Sequence, residues 1–358
     1  MLSSLSITRS FNLAKRICIP RSLITQNITT LSLASKKRKG KKITMATAYD
    51  YPSAIHVNRA NIDIILVGDS CAMVELGYDT TQPITIEHMI HHCQAVTRGV
   101  NADKEVVGDN GKKPLLVGDM VFGSYEYADV DIALKNSYRL VKEGGMDAVK
   151  LEGGSEHRAK TMRHLVDGGV AVMGHIGLTP QAISVIGGFR AQGRTATRAR
   201  ELVNEALRLQ DAGAFAIVLE CVPGNVAKAV TETLEIPTIG IGAGNETSGQ
   251  VLVYHDMLGM MSHPHHQEFM PKFCKRYAQV GHAITKGLEQ YKQEVEDGTF
   301  PSEDYSPYKM DEVEKELFDK FMEKDNLELM RERDETANKL KEVDEYEQLN
   351  LYGGSNDK

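Results

Sequence analysis

The stretch Asp63-Ile64-Ile65-Leu66-Val67-Gly68-Asp69-Ser70 runs four aliphatic residues straight into a glycine, a carboxylate and a hydroxyl. An unbroken apolar run of this length reads as a strand covered on both faces, the kind found in parallel sheets flanked by helices. Polar side chains emerge where such a strand ends. The pattern recurs at ITMATAYD (43–50), IDIILVGD (62–69), PLLVGDM (114–120), DAVKLEG (147–153), VAVMGHIG (170–177), FAIVLEC (215–221), TIGIGAG (238–244) and QVLVYHD (250–256). Helical patterns fit between most of these, at 53–61, 86–100, 129–145 and 196–213. Eight strands alternating with helices predict an α/β fold of the (β/α)8 TIM barrel class. A doubly wound open sheet is the runner-up, because the seventh connection has room for one helical turn at most.

Charge divides the 358 residues into three regimes. Residues 1–42 hold ten Lys or Arg and no acid, residues 43–308 are net −10, and residues 309–358 are net −7. A leader rich in Ser, Thr, Arg and Leu and free of acids has the composition of a mitochondrial transit peptide. The competing reading of KKRKGKK (36–42) as a nucleic-acid or nuclear signal is weaker, because the rest of the chain is acidic. The expected organisation is a basic targeting segment without fixed structure (1–42), a catalytic barrel (43–308) and a charged, partly helical extension (309–358). Val313, Leu317 and Phe321 carry the helical spacing in that extension. The polar stretch 101–113 reads as a mobile surface insertion, and 259–272 as a loop before a helix over 272–296. Five cysteines without a CxxC pair argue for a reducing compartment. No apolar run approaches the roughly 18 residues of a membrane span, so neither membrane nor nucleic acid is an expected partner.

In a barrel of this class, polar residues at the carboxyl ends of the strands gather on one face and build the site. They are Asp69 and Ser70 on the second strand, Asp119 on the third, Lys150 and Glu152 on the fourth, His175 on the fifth and Glu220 on the sixth. Lys150 and Glu152, two apart, point to the same side. Taken singly, each has a bland reading as a helix cap, an ion pair or a core histidine. Five strands ending in ionisable groups at the same end do not arise by such accidents. Three converging carboxylates, Asp69, Asp119 and Glu152, repel unless a cation joins them, and an all-oxygen set suits Mg²⁺. A 2-oxo acid on that ion would have its neighbouring C–H acidified. Glu220 could then take the proton to leave a metal-bound enolate, while Lys150 and Ser70 hold the substrate carboxylate. GIGAG (240–244) lacks the spacing and acidic partner of a dinucleotide loop. His88 with His92, and HPHH at 263–266, lack an evident third ligand for zinc.

TAYDYPSA, VGDS, GYDTTQPIT, VKLEGG, GHIGLTPQ, VLECVP and IPTIGIGAGNETSGQVLVYHD occur in order over about 43–308. In this the chain resembles the ketopantoate hydroxymethyltransferases. The resemblance implies a barrel of the phosphoenolpyruvate-utilising type. It also implies transfer of a hydroxymethyl group from 5,10-methylenetetrahydrofolate to 3-methyl-2-oxobutanoate with Mg²⁺, in a homo-oligomer, decameric as in the family. Carried over by motif, Asp69 and Asp119 would be metal ligands, and Glu152 a metal-associated carboxylate acting through water. Ser70 and Lys150 would contact the substrate carboxylate, His175 would line the site, and Glu220 would be the proton acceptor. The expected rivals are a Mg²⁺-dependent carbon–carbon lyase or mutase on a related barrel, whose reactive-cysteine motif is absent, and a non-catalytic barrel that binds a 2-oxo acid.

Overall fold

The computed structural model describes residues 27–102, 112–188, 190–261, 271–306 and 308–323, with 336, 338 and 341. Eight parallel strands close in sequence order: β1 (Ile43–Thr47), β2 (Ile64–Val67), β3 (Leu115–Asp119), β4 (Ala148–Glu152), β5 (Val172–Gly177), β6 (Ala216–Glu220), β7 (Thr238–Ile241) and β8 (Gly249–Leu252). The seam is a β1–β8 pairing with Met45 opposite Val251. The closed barrel excludes the open-sheet alternative.

Alternation along each strand explains why the apolar runs are continuous. Ile64, Leu66, Val117, Ala148, Met173, Ala216 and Val218 fill the barrel interior. Their neighbours Ile65, Val67, Leu116, Val149, Ile217 and Leu219 pack outward against the helices. Apart from Thr44 on β1 and Gln250 on β8, which are exposed, the strands are covered on both faces, so little polar alternation survives in the sequence.

The helices are α1 (Thr30–Arg38), α2 (Tyr51–Arg59), α3 (Cys71–Val74), α4 (Ile86–Ala102), α5 (Val130–Lys142), α6 (Glu156–Asp167), α7 (Ile183–Ile186), α8 (Ala196–Asp211), α9 (Gly224–Thr233) and α10 (Tyr254–Leu258), with a further helix at Val280–Glu296. No helix separates β7 from β8. Strand β8 is shorter than its apolar run suggests, because the chain turns into α10 where the Tyr254 N–H donates to Thr47 Oγ1 (2.8 Å). The helix expected over 272–296 begins only at Val280.

The boundary expected after residue 42 is corrected. Residues 27–42 belong to the folded barrel end: Ile28 and Leu33 are buried in the interior cluster. Three lysines of the basic run, Lys36, Lys37 and Lys42, bond to the barrel itself. Lys36 pairs with both oxygens of Asp63 (2.5 and 2.6 Å), whose Oδ2 also accepts from Thr44 N–H and Oγ1–H. Lys37 donates to the carbonyls of Thr231, Leu234 and Ile236, which the end of α9 leaves without helical partners. Lys42 holds the carbonyls of Asn245 and Thr247. Residues 1–26 and most of the 101–113 insertion lie outside the described residues. Leu33→Ala is expected to cost about 2–5 kcal/mol, as a large-to-small change in a filled core. Urea unfolding checks this, and a loss under about 0.5 kcal/mol would place α1 outside the cooperative fold.

Two compact units emerge, Met1–Ile284 and Thr285–Lys358. In the second, residues 312–323 are helical, and Val313, Leu317 and Phe321 are exposed. Leu288, Tyr291 and Val295 form another exposed apolar row, with Phe300 packed edge-on to Tyr291.

Candidate active site

The two-residue period that fills the interior with apolar side chains brings ionisable ones inward at the carboxyl ends. On β4 the inward sequence is Ala148, Lys150, Glu152; on β3, Val117 then Asp119; on β5, Met173 then His175; on β6, Val218 then Glu220. Register sets them side by side, with Asp119 opposite Lys150, Glu152 opposite His175 and Gly177 opposite Glu220. Asp69 follows β2, and its backbone N–H donates to Asp119 Oδ2 (3.0 Å). Asp69, Asp119, Lys150, Glu152 and His175 are all buried, and the Glu220 side chain is 15 % exposed. The structure therefore brings Asp69, Asp119, Lys150, Glu152, His175 and Glu220 into one cluster.

Lys150 Nζ is the hub, 2.9 Å from Asp119 Oδ1 and 3.2 Å from His175 Nδ1. His175 Nδ1 is 3.5 Å from Glu152 Oε1, and its Nε2 is 3.3 Å from Glu220 Oε2. Ser70, just beyond the cluster, has its Oγ 2.8 Å from the Tyr49 hydroxyl. Two backbone details let β5 and β6 meet here. Gly177 has φ 97, and a Cβ there would lie 2.3 Å from the Glu220 carbonyl oxygen, so no other residue fits. Cys221, with φ 51, turns the chain directly after Glu220.

Burial and crowding set the charge states. Burial first, and the neighbouring Asp119 second, raise Asp69 to about 7. Burial and Asp69 likewise push Glu152 well above the carboxylate range. For Lys150, burial opposes the charge, yet Asp119, Glu152 and Asp69 outweigh it and hold the ammonium above its ordinary value. His175 is lowered by burial and then by Lys150, so at neutral pH it is an uncharged imidazole. A neutral ring accepting the Lys150 proton at Nδ1 carries its own proton on Nε2, toward Glu220.

The cluster fits a hard cation. It holds more carboxyl groups than Lys150 can pair with, and Asp119 Oδ1 is buried without an aligned hydrogen bond although Lys150 stands beside it. Among the described residues no three His, Cys, Asp or Glu side chains already stand close enough to share one ion. The Asp69 N–H meets Asp119, and a residue outside the expected set touches both Asp69 and Glu152. That residue is Gln181, on the 3-10 turn Pro180–Ala182. Its Nε2–H donates to Asp69 Oδ2 (2.8 Å) and its backbone N–H to Glu152 Oε2 (3.1 Å). His92, considered for zinc, is occupied by the Tyr49 carbonyl at 2.8 Å, and HPHH lies outside the described residues.

A sequence model of the ketopantoate hydroxymethyltransferase family matches residues 27–303. The chain is 52 % identical over 314 residues to 3-methyl-2-oxobutanoate hydroxymethyltransferase 1, mitochondrial, of Oryza sativa subsp. japonica, covering 88 % of this chain and 81 % of that one. It is 55 % identical over 285 residues to the protein of the same name from Arabidopsis thaliana, covering 80 % and 79 %. A bacterial relative, 3-methyl-2-oxobutanoate hydroxymethyltransferase of Heliobacterium modesticaldum, is 48 % identical over 295 residues, 82 % of this chain and 100 % of that one.

Proposed function

Because this chain belongs to the ketopantoate hydroxymethyltransferase family, we propose that it converts 3-methyl-2-oxobutanoate to 2-dehydropantoate with 5,10-methylenetetrahydrofolate as the one-carbon donor. The carrying observation is the convergence of Asp69, Asp119, Lys150, Glu152, His175 and Glu220 at one end of the closed barrel.

Asp69 and Asp119 would hold Mg²⁺, with Glu152 attending through water. The ion's contribution is to draw electron density from the keto oxygen and so acidify the C3–H. The remaining work falls to the chain. Lys150 supplies positive charge for the substrate carboxylate, and Ser70, fixed by Tyr49, supplies a hydroxyl. Glu220 accepts the C3 proton, leaving an enolate whose C3 attacks the methylene carbon. The neutral His175, between Lys150 and Glu220, orients the base without competing for its proton. The one-carbon unit arrives at the oxidation level of formaldehyde. One water is taken up to supply the hydroxyl, tetrahydrofolate leaves, and no oxidant or reductant is needed.

We further assign the chain to mitochondria, in line with the acid-free leader and with the names of its plant relatives. A homo-oligomer is part of the same reading, since the exposed row Leu288, Tyr291 and Val295 suits burial by a second copy. The purified chain is assayed with 3-methyl-2-oxobutanoate, methylenetetrahydrofolate and Mg²⁺. Absence of 2-dehydropantoate, with or without the first 26 residues, would overturn the proposal.

A further inference from the structure

We infer that Gln181 is a positioning residue, the link in a one-directional hydrogen-bond chain that orients the carboxylates of the site. The inference rests on the reading of Asp69 and Asp119 as the ion-holding pair. The chain begins on β4, where the Glu152 backbone N–H donates to the Tyr125 hydroxyl (3.1 Å). That hydroxyl donates to Gln181 Oε1. At its other end the Gln181 amide gives its two Nε2 protons to Asp69 Oδ2 (2.8 Å) and the Met120 carbonyl (2.9 Å). The Asp69 backbone N–H then passes to Asp119 Oδ2 (3.0 Å). Donor meets acceptor at each step from the Glu152 N–H to Asp69 Oδ2, so those bonds polarise one another, and the Asp69 N–H ties the carboxylate they orient to Asp119.

The partners leave the amide one orientation. A flip would set its oxygen against Asp69 Oδ2 and the Met120 carbonyl, and its NH₂ against a hydroxyl already receiving the Glu152 N–H. Gln181 is also buried, so water cannot replace a lost partner. Its backbone N–H meanwhile holds Glu152 Oε2 (3.1 Å). One residue thus fixes one oxygen on each of two carboxylates, Asp69 Oδ2 and Glu152 Oε2. The other oxygen of each is left to point where ligand binding needs it. Neither Gln181 nor Tyr125 supplies charge or touches the reacting carbon in this scheme, so their effect passes entirely through the carboxylates.

The test is Mg²⁺ affinity of the full chain without substrate, read by calorimetry and by the Mg²⁺-induced rise in Tm. Gln181→Met keeps the length and removes every side-chain hydrogen bond. It is expected to weaken Mg²⁺ binding about 10–100-fold, the usual range for a partner behind metal ligands. Tyr125→Phe keeps the ring and deletes one hydroxyl, so it remains informative if Gln181→Met does not fold; a loss of about threefold to tenfold is expected. Because both lie on one chain, the double variant should bind no more weakly than Gln181→Met alone. Folded variants that bind Mg²⁺ within twofold of wild type, or losses that simply add, would overturn the inference. A wild-type chain that shows no Mg²⁺ response would instead overturn the ion-holding reading beneath it.

Discussion

Glu220→Gln is expected to lower the exchange of the substrate C3 hydrogen for deuterium by about 10²–10⁴-fold, the usual contribution of a positioned general base. The substitution keeps the shape of the side chain and removes only its capacity to take a proton. Its backbone roles persist, since the Leu178 N–H bonds to the residue 220 carbonyl whatever the side chain. The expected result is therefore selective: Tm and Mg²⁺ affinity close to wild type, with exchange lost. Exchange needs no folate, so the measurement isolates deprotonation from transfer of the one-carbon unit. His175 is the other group near enough to be considered, but burial and Lys150 lower its basicity, and the lysine occupies Nδ1. Exchange within tenfold of wild type in Glu220→Gln would remove Glu220 from the role of base.

The strands were legible because burial on both faces leaves an unmistakable residue pattern, and the site was legible where it rode on strands. Lys150 and Glu152 follow from a two-residue period, and Asp119, His175 and Glu220 from strand ends. What stayed hidden lies where no period operates. Gln181 follows Thr179-Pro180 on a short 3-10 turn, and nothing local distinguishes it from a solvated turn residue. Tyr125 sits in GSYEYAD, which reads as a polar loop, though its ring is buried under the Arg158 guanidinium. The signal for α6 was masked by charge, as Met162 and Leu165 are buried among His, Arg and Lys.

The misplaced end of the leader has a related cause. Composition counts charges without partners, so ten basic residues in 42 read as one segment without fixed structure. Lys36, Lys37 and Lys42 instead meet a carboxylate and five carbonyls at the amino-terminal end of the barrel. Leu33 alone supplies the buried helical contact of α1, too little to raise a periodic signal.

Lys150→Met is the second substitution with a large expected effect, and here the loss is of stability. Lys150 is the cation set among Asp69, Asp119 and Glu152, and Met matches its length without its charge. Breaking a buried ion pair from one side costs about 3–5 kcal/mol, because the remaining carboxylates are left uncompensated. The size of the loss depends on pH in a direction that the charge states fix. Asp69 has its folded-state midpoint raised to about 7 even with the lysine present, and without it the midpoint moves higher. A carboxyl raised on folding holds a proton that the unfolded chain releases, so its stabilising contribution is complete below about pH 4 and disappears as pH rises through the folded midpoint. The gap should therefore be smaller near pH 5, where Asp69 holds its proton in the fold, than at pH 8, while the lost contact with Asp119 keeps it from closing. The full gap of about 3–5 kcal/mol should open by pH 8. Urea unfolding of the two proteins in a metal chelator at pH 5 and pH 8 measures this directly. Equal stabilities at pH 8 would show that the lysine does not balance the carboxylates, and the electrostatic account of the site would fall with it.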